Sequence, residues 1–422
     1  MNNALLKELI ELRREFHQCA ETGWLEFETT IKIISYLLDL GLEIRYGKAI
    51  HKNRLGLPKD EEMKIHKEKI SYINPPFDTE EILKGYTGVV GILDTHKSGP
   101  TIALRFDIDA NGVDEKKEGH RPFMEGFASK NHKMMHACGH DGHIAIGLMV
   151  AKYLVEHKEN IKGKILLIFQ PAEEGVRGAK SMVEAGVLDG VDYILSGHIG
   201  FMAKRNEIIC GVGGFLATEK MDIHFYGKPS HAGAYPELGK NALLAGASCA
   251  IHLHTITQFS SGMSRMNVGV FHAGTGRNVI PDQARLEIET RGENKKINDE
   301  LIKRTYEIVE GSAKLYDVDY KIEHVGSAKA YEYKKDDFSE SISSLLKKKG
   351  FQIQENGFLG GSEDITYMFE NVENRGGKAL YMVFGTELKA PHHNSCFDFD
   401  EDVLYDAYEC YRYIIEKLMN ES

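Results

Sequence analysis

Nowhere does the chain offer about 18 apolar residues in a row, so no membrane-spanning helix is expected. A CxxC pair is equally missing. The six cysteines, at positions 19, 138, 210, 249, 396 and 410, stand apart, a usage that points to free thiols in a reducing compartment. Nor is there an excess of positive charge. Lys and Arg number 52 against 63 Asp and Glu, a net charge of −11, which argues against a nucleic-acid or anionic-membrane partner. The opening "NNALLKELIELRREFHQ" places Leu5, Leu9, Leu12 and Phe16 on one helical face and lacks the unbroken apolar core of a signal peptide. These absences favour a cytoplasmic protein. There is no internal repeat and no low-complexity tail.

What is present is enough chain for more than one core. The 422 residues exceed the roughly 250–300 at which a single core stops growing. The runs "GVVGIL", "TIALRFDID", "GKILLIFQ", "VDYILSGHI" and "KALYMVFG" are short and β-rich, and helical stretches separate them. That alternation predicts an α/β fold, a mostly parallel sheet covered by helices on both faces. A helix is expected over 30–40, closed by Gly41, and another from Asp402 to Leu418. Between about 215 and 326 the strands alternate apolar and polar residues, as half-exposed strands do. This predicts a smaller α+β domain, 215–326, inserted into a larger one made of 1–214 and 327–422. The polar stretch 51–78 reads as a surface insertion.

One short stretch carries most of the chemistry. "KMMHACGHDGHIAIGL" packs His136, Cys138, His140, Asp141 and His143 into eight positions. In open α/β sheets, ligands collect at the carboxyl ends of strands. The strand "TIALRF" runs into Asp107 and Asp109, "KILLIFQ" into Glu173 and Glu174, and "DYILSG" into His198, while "PHHNSCFDFDED" precedes the last helix. A lone strand-end Asp usually caps a turn, and a Glu pair is usually solvated surface. Their coincidence on one rim points instead to metal. Two cations about 3.5–4 Å apart need ligands from several elements. One of the adjacent glutamates can serve as ligand and the other as base. The alternative, Cys138 as a nucleophile activated by a histidine, leaves the Glu pair, His198 and the C-terminal histidines unused.

The motifs "RFDIDA", "HACGHDGH", "FQPAEEG", "GHI", "GKPSHAGAYPELGKNAL", "GTGRNVIP", "GGSED" and "HHNSCFDFDED" resemble, in order and spacing, those of the aminoacylase/carboxypeptidase-like dinuclear metallo-amidohydrolases. Within that family the chain is similar to the amino-acid-conjugate amidohydrolases, and most so to those that split aminobenzoyl-glutamate. The resemblance implies Cys138, His140, Glu174, His198 and His393 as metal ligands, with His393 preferred because it lies four residues before Phe397. It implies Glu173 as general base and Asp109 as the acid supporting the ligand shell. It further implies that the inserted domain is ferredoxin-like, dimerises, closes as a lid, and lends His231 to the partner's reaction. Asn278 and Arg291 would hold a substrate carboxylate, and Gly361 and Ser362 lie in a glycine-rich turn able to form a backbone cradle. The cofactor is expected to be two divalent ions: zinc by the softness of the donors, manganese by the resemblance. The expected substrate is an N-acyl amino acid, aminobenzoyl-glutamate or another such as an acetyl, hippurate-like or auxin-like conjugate. The expected assembly is a homodimer, or a heteromer with a homologous B subunit. Asn111-Gly112 stands where the family has Leu-Pro, and Asp107 where other branches have a ligating histidine.

Overall fold

The structure, a computed structural model, describes residues 2–420. In chain order its strands are β1 Glu43–Tyr46, β2 Val89–Asp94, β3 Thr101–Asp107, β4 Lys164–Gln170, β5 Tyr193–Ile199, β6 Glu207–Gly213, β7 Ala217–Tyr226, β8 Ser264–Ala273, β9 Gln283–Gly292, β10 Asp319–Ala328, β11 Gln352–Phe358 and β12 Lys378–Phe384. They build an eight-stranded sheet, β1-β2-β4-β3-β5-β12-β6-β11, and a four-stranded one, β10-β7-β9-β8.

The chain forms two compact units. The first holds the residues up to Gly213, then Glu332–Leu359, then Tyr367 onward; the second is Gly214–Tyr331 with Gly360–Thr366. In the first unit the central strands β4, β3, β5 and β12 run parallel. Antiparallel pairs enter at β1/β2, β2/β4 and β6/β12, so the sheet is mixed at its flanks. Helices cover both faces of parallel strands, so these read as nearly unbroken apolar runs, and all of "KILLIFQ" after Lys164 is buried. The helix His140–Glu156 is buried along most of its length and packs against Asn3–Gln18 and Val403–Asn420. The helix Phe27–Asp39 ends where Gly41 takes φ 77°, a conformation a side chain would strain.

The second unit runs β7, helix Ala242–Leu253, β8, β9, helix Lys295–Leu315, β10, and all its strand pairs are antiparallel. Strand order and connections are those of a ferredoxin-like βαββαβ unit. Along β9, buried and half-buried residues alternate, because one face carries Leu286 and Ile288 onto the helices and the other does not.

The stretch 51–78 is more than a surface insertion. It contains a helix, Asp60–Lys69, whose His66 is buried, and Ile70 joins the main core. His66 Nε2 lies 2.7 Å from Glu21, and Trp24 donates to the Leu55 carbonyl at 2.8 Å. Among the described residues, no helix is long and apolar enough to cross a membrane.

Candidate metal centre

Neighbouring parallel strands β4, β3 and β5 finish on one rim of the first unit. β3 ends at Asp107, β4 leads into the "PAEEG" turn, and β5 carries His198 near its end. Gly139 turns left-handed, φ 86°, immediately before the helix that starts at His140, which leaves Cys138 and His140 at the helix entrance. The C-terminal segment arrives through a left-handed His393, φ 64°, whose N–H donates to the Ala137 carbonyl at 2.8 Å.

These elements bring the expected donors together. Ligand atoms of Cys138, His140 and His198 lie within 4.8 Å of one another, as do those of His140, Glu173 and Glu174, and those of Cys138, Glu174 and His393. The three sets overlap through His140, Cys138 and Glu174. Individual approaches are Cys138 Sγ to His198 Nε2, 3.4 Å, and His393 Nε2 to a Glu174 oxygen, 3.2 Å. His392 is occupied elsewhere. Its Nε2 donates to the Ile199 carbonyl at 3.1 Å.

Carbonyl acceptors set the tautomers. His140 Nδ1 donates to the Asp109 carbonyl, and His198 Nδ1 to the Ile199 carbonyl, each at 2.8 Å. Both rings therefore turn Nε2, the atom that metal-binding histidines leave for the cation, toward the thiol and the carboxylates. His140 Nε2 is buried and makes no hydrogen bond among the described residues. Burial, and then the Glu174 carboxylate, push the Cys138 thiol well up. A nucleophilic thiolate is disfavoured there, whereas a cation would draw the sulfur into coordination. Burial, and then His143, hold His198 well below the usual imidazole range, neutral as a ligand must be. Burial would raise Glu174, but the His393 and His140 rings pull it down to about 2. The residues present fit a pair of divalent cations.

The Glu pair sits on a tight elbow. Ala172 and Val176 are left-handed, φ 55° and 53°. The N–H groups of Glu173 and Glu174 donate to the two oxygens of Asp109, at 3.0 Å each. Asp109 thus holds His140 through its backbone and the elbow through its side chain. A further group, Asp107, His140 and His143, needs no ion, because other bonds satisfy two of its members. Arg105 donates to Asp107 at 2.5 Å, and His143 Nδ1 to the other Asp107 oxygen at 2.5 Å. His143 Nε2 in turn accepts the Ile199 N–H at 3.0 Å.

The remaining candidates lie in the second unit. Gly233 and Ala234 donate to His231 Nδ1 at 3.1 and 3.0 Å, so the exposed Nε2 of the neutral ring carries the proton and is a donor. The His231 loop is stitched to the Asn278 loop by Ala232 N–H to the Asn278 carbonyl at 3.0 Å and Ile280 N–H to the Ser230 carbonyl at 2.9 Å. Arg291 is engaged by Glu289 at 3.1 Å. Gly361 accepts the Leu216 N–H at 2.7 Å, and the Ser362 hydroxyl is buried with no partner among the described residues.

Sequence reasoning passed over what lies beneath the rim. Arg13, fully buried, reaches Asp141 at 2.8 Å and Asp398 and Glu401 at 2.9 Å each. One guanidinium thereby ties the first helix to the residue after His140 and to the segment after His393. The carboxylates of "FDFDED" were the available signal, since an acidic run before a helix is unremarkable only when solvated.

Residues 103–417 match the model of the Peptidase family M20/M25/M40. The indole-3-acetyl-aspartic acid hydrolase of Enterobacter agglomerans is 44% identical over 96% of this chain and 94% of its own. A component of the p-aminobenzoyl-glutamate hydrolase of Escherichia coli (strain K12) is 43% identical over 96% of this chain and 95% of its own. Among solved structures, the aminobenzoyl-glutamate utilization protein of Klebsiella pneumoniae superposes with a TM-score of 0.84 at 36% identity, covering 98% of this chain and 96% of that one. A Bacillus subtilis protein described as a dinuclear metal-binding peptidase of the M20 family superposes with a TM-score of 0.67 at 25% identity, covering 99% of each chain. A thiol, imidazoles and carboxylates converging on one rim, together with these matches, place the chain in the Peptidase family M20/M25/M40, as a metal-dependent hydrolase of amide bonds.

Proposed function

We propose that the protein hydrolyses the amide bond of an N-acyl amino acid with two divalent cations held by Cys138, His140, Glu174, His198 and His393. One observation carries this reading: two imidazoles with tautomers set by backbone carbonyls aim Nε2 at a buried thiol and at a paired-glutamate elbow. When bound, the cations would supply the electrostatic pull that makes water acidic near neutral pH. Glu173 takes the proton from the attacking water and returns it to the departing amine. Asp109 holds both glutamates in place. His231, lent to the reaction of the partner subunit, stabilises through Nε2–H the oxyanion that forms there at the substrate carbonyl. Asn278 and Arg291 hold the substrate carboxylate, Arg291 exchanging its Glu289 partner for the bidentate ligand. Gly361 and Ser362 supply a backbone and hydroxyl cradle.

The preferred substrate is p-aminobenzoyl-glutamate, split to p-aminobenzoate and glutamate in the breakdown of folate. The relatives at 43% and 44% are named for conjugates of glutamate and of aspartic acid, which makes indole-3-acetyl-aspartate the second reading; hippurate-type acyl groups follow. Softness of the donors favours zinc, and the family resemblance favours manganese. The ferredoxin-like unit is the dimerisation and lid domain. Its strand β8 is a free sheet edge, with Phe271, Leu244 and Ile251 exposed on that strand and on the helix packed beside it. The assembly is a homodimer or a heteromer with a homologous second chain. Cysteines that are all free suit the cytoplasm.

A panel of aminobenzoyl-glutamate, indoleacetyl-aspartate, hippurate and N-acetyl amino acids, run with Zn2+ and with Mn2+, tests the substrate. Fast cleavage of acetyl amino acids alongside inert aminobenzoyl-glutamate refutes the preference. Glu173→Gln is expected to lose about 10²–10⁴-fold in kcat while keeping both cations.

A further inference from the structure

Three consecutive backbone N–H groups, those of Ala172, Glu173 and Glu174, point at two buried carboxyl groups. Asp109 takes the second and third. The first belongs to Glu26, which accepts the Ala172 N–H at 2.8 Å with one oxygen and the Thr87 hydroxyl at 2.7 Å with the other. Glu26 sits at the N-cap of the helix Phe27–Asp39, yet its side chain makes no cap bond to that helix. It turns instead toward the end of β4, fully buried. A buried carboxyl in that place is costly unless something requires an acceptor there.

The peptide it holds is the one that needs holding. Ala172 is left-handed, a conformation an L-residue keeps only where its surroundings over-determine it. Relaxation of that residue would swing Glu173 and Glu174, the next two side chains, away from His140.

We propose that Glu26 is a positioning residue for hydrolysis: by accepting the Ala172 N–H it locks the left-handed elbow that aims Glu173 and Glu174. The proposal rests on reading Glu173 as base and Glu174 as ligand. The acceptor needs no charge. Burial, and after it the Asp109 carboxylate, push Glu26 up to about 8, and a neutral carboxyl has the shape of an amide. Glutamine is therefore an adequate substitute, and leucine is not.

The test uses the full chain, stripped of metal, titrated with Zn2+ or Mn2+ by calorimetry and then assayed. Glu26→Leu is expected to lower kcat about 10²-fold, the scale of a small misplacement, with KM little changed. It also weakens cation binding about tenfold, as loss of an outer support does. Glu26→Gln recovers at least about a third of the wild-type kcat, and adding Ala172→Gly to Glu26→Leu recovers about fivefold or more, because glycine adopts the left-handed region freely. Should Glu26→Leu fail to fold, Glu26→Asp, one methylene too short, is expected to lower kcat about tenfold. Wild-type kcat and cation affinity in the Leu or Asp variant overturn the proposal. So does a Gln variant as impaired as Leu, or a folded Leu variant that glycine does not rescue. The underlying reading fails separately: Glu173→Gln retaining turnover removes the base, while the cation titrations still report on Glu26.

Discussion

The two units hold their candidate residues in opposite ways. In the first, Cys138, His140 and His198 are buried, and neighbours fix their tautomers and backbones before any ligand arrives. In the second, His231 and Asn278 are exposed, their two loops are bonded to each other, and Arg291 leans on a neighbouring glutamate. The contrast follows from the work assigned. Cations and a proton-transfer base need donors that cost nothing to reorganise. Groups that grip a substrate must stay reachable until it comes.

Three experiments can break or sharpen that contrast. The largest effect is expected from chelation: turnover falls below detection and returns with Zn2+ or Mn2+. Thermal denaturation should show the first unit losing the cations' contribution, about 4 kcal/mol for a ligand at a thousand times its dissociation constant. Activity indifferent to chelators but lost to thiol alkylation would restore Cys138 as nucleophile. Next come substitutions in the second unit. His231→Ala should lower kcat about 10²–10³-fold, and Arg291→Ala should raise KM about 10–100-fold, the worth of a charged hydrogen bond. Both should leave the cation content alone, and His231→Ala, at an exposed position, should leave the melting temperature alone as well. A metal loss in either variant would show that the units do not divide the work this way.

The smallest effect probes the buried ionic layer beneath the rim. Burial works against Glu115, but bonds from His120 and His17 bring it to about 2, from an ordinary 4.5. A depressed carboxyl stabilises above its unfolded value, so this contribution is complete above about pH 4.5 and drains away toward pH 2. His17 runs the other way. Burial opposes its protonation, yet Asp141 and Glu115 raise it above 6.5, so its share is complete below 6.5 and is lost as the pH climbs past the raised value. Glu115→Gln should flatten the fall of the urea midpoint between pH 4.5 and 2. An unchanged slope would assign the acid sensitivity to other groups.

Much of this was legible along the chain. Apolar runs announced β3, β4, β5 and β12, because strands covered on both faces are mostly apolar and carry a polar side chain, as Arg105 and Ser196, only where it is bonded. The donors of the rim stood at strand ends, where an α/β sheet collects its ligands. What stayed hidden were β1, β6 and β11, short or flanking strands, and the burial of His66 within a stretch that reads as polar surface. Gly360–Thr366 cluster with the second unit, although chain position alone sets them with the first.

Periodicity and neighbour-to-neighbour spacing, which travel with the chain itself, sufficed for the strands, the helices, the glutamate pair and the crowd of histidines. Only the tertiary structure set His393 beside Glu174 and His392 against the Ile199 carbonyl, turned the Nδ1 atoms of His140 and His198 to backbone carbonyls, and set Arg13 against a carboxylate 128 residues away. Such choices depend on carbonyls and carboxylates that become neighbours once the chain has folded, and a linear pattern carries no record of them.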